Sequence, residues 1–219
     1  MKTGAPALYA RLAIAGVVLY VVLDIVAQAL PPHYNPIRQA ESDLAVGPYG
    51  WIMAINFVVR GLLSFALLVA LVRSLPHSAG SRFGLALLGV WAAGSALLAA
   101  FPTDVASGVH TAHGRIHLLL ALIAFVAVAA GEVLLSRSLT ERLADFRGPA
   151  TILAALMVLS LLLLFAPILN RDGGLKERLF LGLALLWILV VGWKLSSSKK
   201  KTAALPRESG GSPTEVSLA

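Results

Sequence analysis

Cysteine is absent from this 219-residue chain, which excludes disulfide scaffolds, thiol catalysis and cysteine-ligated zinc. Charge is also scarce: 13% of the residues are Asp, Glu, Lys or Arg, whereas a soluble domain carries about 25%. The net charge is +7, but no basic stripe is interleaved with aromatic residues on a foldable segment. The sequence therefore does not indicate nucleic-acid binding.

Apolar residues make up 58% of the chain, and the mean hydropathy is +0.83. About 20 apolar residues cross a hydrocarbon core of about 30 Å, and backbone groups in lipid must pair within the segment. Six stretches fit this length: 12–30, 51–72, 83–101, 116–135, 151–169 and 179–193. We predict an all-α bundle of six transmembrane helices over residues 1–195, followed by a disordered basic tail over 196–219.

The distribution of positive charge predicts the orientation of this bundle. Most of the 18 lysines and arginines lie on the side of the chain termini, so both termini and the basic tail are expected in the cytoplasm. Lys2 and Arg11, followed by an apolar run and Ala27-Gln28-Ala29, resemble a signal peptide. Because Asp24 interrupts that run and the run is long enough to span, we interpret it as a membrane helix.

Three of the five histidines lie within eight positions of one another. Offsets of three and seven residues place His110, His113 and His117 within about 60° of each other on a helix. Asp104 precedes them in the predicted loop. Two histidines four residues apart can share a metal with a carboxylate, so His113, His117 and Asp104 or Asp43 could hold a divalent ion, with zinc favoured and His110 near by. A structural hydrogen-bond network and proton sensing remain open alternatives.

Polar residues also occur inside the predicted spans, at similar depths below the outer face. Asp24 lies on the first span, and Asn56 and Arg60 share one face of the second. We expect Asp24 to pair with Arg60, either as a structural ion pair or as one wall of a polar pocket. Glu132 is expected at the cytoplasmic interface near Arg137.

Two outer loops are expected to contribute further groups to this pocket. Glu41, Ser42 and Asp43 lie at the end of a short interfacial helix predicted in the first outer loop, where they either solvate the loop or add carboxylates to the site. Arg178 opens the last span, and we expect it to pair with Asp43, Asp104 or a lipid headgroup.

Several short motifs resemble the DUF998 family of bacterial and archaeal membrane proteins over roughly residues 10–195. They are Tyr34-Asn35-Pro36-Ile37-Arg38, Ser42-Asp43-Leu44, Gly47-Pro48, Phe101-Pro102-Thr103-Asp104 with His113 and His117, and Gly174 to Glu177-Arg178. The resemblance implies a multi-pass protein of a prokaryotic inner (plasma) membrane. It supports the importance of Asp43, Asp104, His113, His117 and Arg178, and it implies no substrate.

Two functional hypotheses follow. The first is a membrane-embedded metal-dependent hydrolase of a lipid or lipid-linked substrate, with Asp43, Asp104 and Arg178 in catalytic roles beside the histidine-bound metal. The second is a non-enzymatic membrane module: a proton-responsive sensor, a transporter or an accessory subunit. In both cases membrane lipids are expected partners, with a second copy or another membrane protein as a further candidate.

Overall fold

A computed structural model describes residues 4–76, 78–105, 110–139, 143–167 and 172–197. No β-strand occurs within these ranges. Among the described residues, six helices are long and apolar enough to cross a membrane, as predicted. They are α1 (Ala5–Ala29), α2 (Gly50–Val72), α3 (Ala79–Leu97), α4 (Ala112–Arg137), α5 (Ala144–Phe165) and α6 (Gly173–Ser197).

The six helices form a ring in which each packs against the next along the chain and α6 returns to α1. The first turns of α1 and the last turns of α6 are neighbours, because a Cβ on Gly192 would lie 3.5 Å from the Ala10 carbonyl oxygen. We call this end of the bundle the terminal face. The opposite end, which carries the first loop (residues 30–49), is the loop face. The start of α1 and the end of α6 therefore share one side, and its assignment to the cytoplasm stays a prediction.

Small residues allow neighbouring helices to approach closely. A Cβ on Gly16 of α1 would lie 2.5 Å from the Leu63 Cβ of α2, and one on Gly61 would lie 2.8 Å from the Ala92 carbonyl oxygen of α3. Close backbone approach at small residues is the usual basis of helix packing in lipid, where burial against water supplies no driving force. The helices that carry the polar residues of the loop face are thereby held in a fixed register.

Helix boundaries differ from the predicted spans mainly at their starts. α1 begins at Ala5 rather than at residue 12, and α5 begins at Ala144 rather than at 151, with Pro149 inside its second turn. A hydropathy pattern marks the part of a helix that crosses hydrocarbon, whereas the hydrogen-bonded helix continues into the headgroup region. α6 extends to Ser197, and the rest of the predicted tail lies outside the described residues.

The first loop is folded by its own polar side chains. The Asn35 side-chain oxygen accepts hydrogen bonds from the backbone N–H groups of Ile37 and Arg38, at 3.0 and 3.2 Å. The Tyr34 hydroxyl lies 2.7 Å from the carbonyl oxygens of Gln39 and Ala40. The predicted interfacial helix is a 3₁₀ helix of five residues, Glu41–Ala45, and its first residue is turned into the bundle.

Candidate functional site: a buried charged cluster beneath the first loop

The first loop is fastened to the start of α6 by backbone contacts. The Leu175 N–H donates to the Ile37 carbonyl at 3.0 Å, and a Cβ on Gly174 would lie 2.0 Å from the Gln39 carbonyl oxygen. The Arg178 guanidinium donates to the carbonyl oxygens of Pro36 and Gln39 at 3.3 and 3.5 Å. The first loop (residues 30–49) therefore packs directly on the start of α6, and we call it the lid.

Glu41 connects this lid to the membrane helices beneath it. Its side chain is only 3% exposed, although the residue lies in a loop. The Tyr20 hydroxyl of α1 donates to Glu41 Oε1, and the Glu41 backbone N–H donates to Glu177 Oε2 of α6 at 2.8 Å. One residue of the loop therefore joins α1 and α6.

Arg60 of α2 lies below Glu41 and is also buried, at 2% exposed. Its Nη1 donates to the Tyr20 hydroxyl at 3.4 Å, and its Nε donates to Ser95 Oγ of α3 at 3.2 Å. The guanidinium carbon lies 4.9 Å from the ring centroid of Trp91 and 5.2 Å from that of Phe57. Stacked rings stabilise a desolvated cation, which explains how this charge is tolerated within the bundle.

Asp24 pairs with Arg178, and the predicted pairing of Asp24 with Arg60 is wrong. Asp24 Oδ1 lies 3.7 Å from Arg178 Nη2, and the Gln28 amide donates to Asp24 Oδ2 at 2.5 Å. The expected partners of Arg178, Asp43 and Asp104, are likewise wrong. The reason is that α1 packs against α6 as well as α2, so Asp24 meets a cation 154 positions later in the chain.

We call the set of buried or half-buried groups beneath the lid the lid cluster. Its members are Tyr20, Asp24, Glu41, Asn56, Arg60, Ser95, Glu177 and Arg178. Asn56 joins it by donating to the Tyr20 carbonyl at 3.1 Å, whereas its Oδ1 has no hydrogen-bond partner in the described part of the chain. Ser42 lies on the 3₁₀ helix and is only partly buried.

Burial is the main cause of the raised pKa values of two acidic residues of the first loop, Glu41 and Asp43. Burial raises the pKa of Glu41 from 4.5 to about 7, the nearby Asp24 and Glu177 raise it further, and the Arg60 cation and the Tyr20 hydrogen bond oppose the rise. Burial also raises the pKa of Asp43 above its ordinary value. Glu41 can therefore gain or lose a proton near neutral pH.

The histidine segment forms a second, separate group at the loop face. α4 begins at Ala112, so His110 precedes the helix and does not share its stripe. His113 is exposed, with its ring centroid 5.7 Å from that of Phe101. His117 is buried, and its Nδ1 lies 2.6 Å from the Phe101 carbonyl oxygen.

The Asp104 side chain binds Thr111, the residue that immediately precedes α4. Its two carboxylate oxygens accept hydrogen bonds from the Thr111 backbone N–H at 2.9 Å and from the Thr111 hydroxyl at 2.7 Å. These bonds hold the pKa of Asp104 below its ordinary value. Thr111 in turn caps α4, because its hydroxyl oxygen accepts from the Gly114 N–H at 3.0 Å.

The described residues do not assemble a metal-binding set. Within them, no three His, Asp or Glu side chains come close enough together to hold an ion. His117 Nδ1 contacts the Phe101 carbonyl oxygen, and both oxygens of Asp104 accept hydrogen bonds from Thr111. A zinc site built from His110, His113 and His117 stays a prediction of the sequence.

Two grooves open on either side of the Val46-Gly47 corner at the loop face. One of about 310 Å³ is lined by Tyr34 and Asp43 among largely apolar residues. The other, of about 450 Å³, is lined by Asp104, Thr111 and His113. Of the predicted site residues, Asp43 therefore lines the first groove, and Asp104 and His113 line the second.

Sequence reasoning missed two acidic or hydroxyl groups of the lid cluster. Tyr20 lies one helical turn before Asp24 and so shares its face, which was the available signal. Glu177 entered the sequence analysis only as part of the Gly174 to Glu177-Arg178 motif. Glu132 was expected at the interface, and this was wrong: its side chain is fully buried, and the Trp187 indole, on the neighbouring α6, is buried beside Ser136.

These observations define a polytopic α-helical membrane protein with a buried charged cluster closed by a loop. The chain matches the family model described as "Protein of unknown function (DUF998)" over residues 14–194. It therefore belongs to the DUF998 family, which confirms the resemblance seen in its motifs. No curated protein and no solved structure matches the chain.

Proposed function

We propose that this protein is a non-enzymatic, proton-responsive membrane module in which the lid cluster binds the proton and the first loop responds. The observation that carries the proposal is Glu41: one buried loop carboxyl accepts a hydrogen bond from Tyr20 of α1 and donates its backbone N–H to Glu177 of α6. Under the predicted topology the cluster lies on the outer side of a prokaryotic plasma membrane and would respond to external pH.

The charges around Glu41 support a response to a single proton. The lid cluster contains three carboxyl groups and two guanidiniums. Its net charge is therefore negative when all five are ionised and zero when one carboxyl is protonated. Tyr34, Asp43 and Lys176 are further titratable groups of the loop and of α6 beside it. Because Glu41 favours its neutral form in the closed arrangement, lowering the pH stabilises the lid on the helices and raising it loosens the lid.

The absence of cysteine allows a direct measurement of the lid. Ile37→Cys on the exposed loop and Ile116→Cys at the start of α4 would carry two spin labels in lipid nanodiscs. We expect their distance distribution to broaden or lengthen as the pH rises through about 7. Glu41→Gln mimics the protonated carboxyl and should keep the short distance at every pH.

Asp145→Asn is the matched control, because Asp145 is an 85% exposed acid on the terminal face. It should leave the pH-dependent change intact. A distance that does not vary with pH, or one that varies equally with and without the Glu41 carboxyl, would contradict the proposal.

The hydrolase hypothesis retains one supporting observation, the groove lined by Asp104, Thr111 and His113. It needs a metal, so metal content of the purified protein is the decisive measurement. A bound divalent ion that is lost when His113→Ala and His117→Ala are combined would favour the hydrolase. Metal-free protein in both forms would leave the proton-responsive module as the better account.

A further inference from the structure

Glu132 is an acidic side chain in the interior of the bundle, outside the lid cluster. It lies on α4 and is 0% exposed. Neither of its carboxyl oxygens has a hydrogen-bond partner among the residues that the structure describes. Its chain neighbour Gly131 packs against α3, since a Cβ there would lie 3.2 Å from the Leu87 Cβ.

The surroundings of Glu132 do not stabilise a negative charge. Within the described ranges, this fully buried carboxyl has no hydrogen bond, and no salt bridge to it is found. An ionised carboxylate without a partner in a low-dielectric interior costs far more than a neutral acid, so the group is held protonated. An acidic residue inside a membrane span costs free energy to insert, and such residues usually have a function.

The position of Glu132 separates it from the lid cluster. Arg60 is level with Ser95 on α3, whereas Glu132 is level with Leu87 and Leu88, about 11 Å nearer the terminal face at 1.5 Å per residue. Arg60 lies at the loop-face end of this 11 Å interval. Its positive charge opposes the passage of a proton between Glu41 and Glu132.

A buried polar pair lies between Glu132 and the terminal face. Ser136 lies one turn further along α4, and its hydroxyl oxygen accepts from the Trp187 indole of α6 at 2.8 Å. α4 ends one residue later at Arg137, which puts Glu132 about 8 Å from that end of the helix.

We infer that Glu132 is a proton-binding site in the inner half of the bundle, and that it exchanges its proton with the terminal face independently of Glu41. Its ligand is the proton itself, taken up by a carboxyl group that has neither a counter-charge nor a hydrogen bond among the described residues. Glu132 and the loop residue Glu41 would then be two proton-binding carboxyl groups on opposite sides of Arg60.

Dicyclohexylcarbodiimide is a suitable probe, because it enters lipid and reacts with protonated carboxyl groups. The carboxyl proton moves to a reagent nitrogen, the carboxylate oxygen bonds to the central carbon, and rearrangement gives a stable N-acylurea. We would treat the full chain in liposomes with the pH set separately on each side and locate adducts by peptide mass spectrometry. An impermeant maleimide on Ser197→Cys reports which face points outward.

Wild-type protein should carry the adduct on Glu132 at neutral pH, and the yield should fall when the terminal-face side alone is made strongly alkaline. Glu132→Gln should lose this adduct, whereas Asp145→Asn and Glu41→Gln should keep it. Retention in Glu41→Gln separates this inference from the proposed function of the lid. Absence of the adduct in wild type, or a yield that follows the loop-face pH, would overturn the inference, and neither result requires a variant to fold.

Discussion

Two carboxyl groups at the loop face show how strongly local surroundings control an acidic residue. Asp104 receives two hydrogen bonds from Thr111, and its pKa lies below the ordinary value. Glu41 also receives a hydrogen bond, from Tyr20, but burial and neighbouring carboxylates raise its pKa to about 7. The pKa of Glu41 therefore lies near neutral pH, whereas the lowered pKa of Asp104 favours the ionised form that hydrogen-bonds to Thr111 and orders the start of α4.

The stability of the folded protein should depend on pH through Glu41. Its pKa is raised from 4.5 in the unfolded chain to about 7, so its contribution is fully present below pH 4.5 and is lost as the pH rises to about 7. Over that window the loss amounts to at most about 3 kcal/mol, at 1.36 kcal/mol per pKa unit. Glu41→Gln should remove this part of the slope. Melting temperature in detergent, measured at several pH values for both proteins, checks it, and parallel curves would contradict it.

Thr111 and His110 are adjacent but should differ sharply in their effect on stability. Thr111 caps α4 and is held by Asp104, so Thr111→Ala should destabilise the protein by roughly 0.5–2 kcal/mol. His110 precedes the cap and is exposed, so His110→Ala should change stability by less than about 0.5 kcal/mol. Unfolding in denaturant distinguishes the two. An equal loss in both variants would show that His110 has a role that the described contacts do not reveal.

At the scale of single residues, the sequence predicted which polar groups lie together beneath the first loop better than it predicted their partners. Asp24, Asn56, Arg60 and Glu41 were singled out, and all four belong to the lid cluster. The pairing of Asp24 failed because a sequence places residues along a helix but does not show which helix lies opposite. The prediction that the three histidines share one helical stripe was wrong because α4 begins only after Thr111, so His110 precedes the helix. Thr111 is held at this position by Asp104, seven residues earlier.

At the scale of elements, the contact between the first loop and α6 depends on the absence of a side chain at Gly174. A Cβ there would lie 2.0 Å from the Gln39 carbonyl oxygen and 2.7 Å from that of Pro36. Gly174→Ala should therefore lift the lid and expose Glu41, despite the better helix propensity of alanine.

Gly182→Ala on the same helix is the matched control, because a Cβ there meets nothing within 4 Å. It should be neutral or stabilising by up to about 1 kcal/mol. Protease cleavage of the first loop measures the difference: only Gly174→Ala should be cut faster than wild type. Equal cleavage of both variants would mean that the lid does not rest on α6 as described.

The lengths and types of the helices followed from hydropathy because lipid demands internally paired backbone for the whole crossing. The starts of α1 and α5 were missed because headgroup-level turns carry no apolar signal. The lid itself was only partly predictable. Asn35-Pro36 and Gly47-Pro48 indicated its turns, but nothing in the local sequence showed that Glu41 would be turned inward.

At the scale of the whole molecule, the first loop lies at one end of the bundle, and the start of α1 and the end of α6 lie at the other. The distribution of positive charge predicts which end faces the cytoplasm. The cysteine-free chain makes this testable with single substitutions and no background labelling. In intact cells, an impermeant maleimide should label Ile37→Cys on the exposed loop but should reach Ser197→Cys only after permeabilisation. The reverse pattern would invert the topology, so that Glu41 would face the cytoplasm and Glu132 would face the exterior. Labelling of unsubstituted protein, which should be absent, controls for reaction at other side chains.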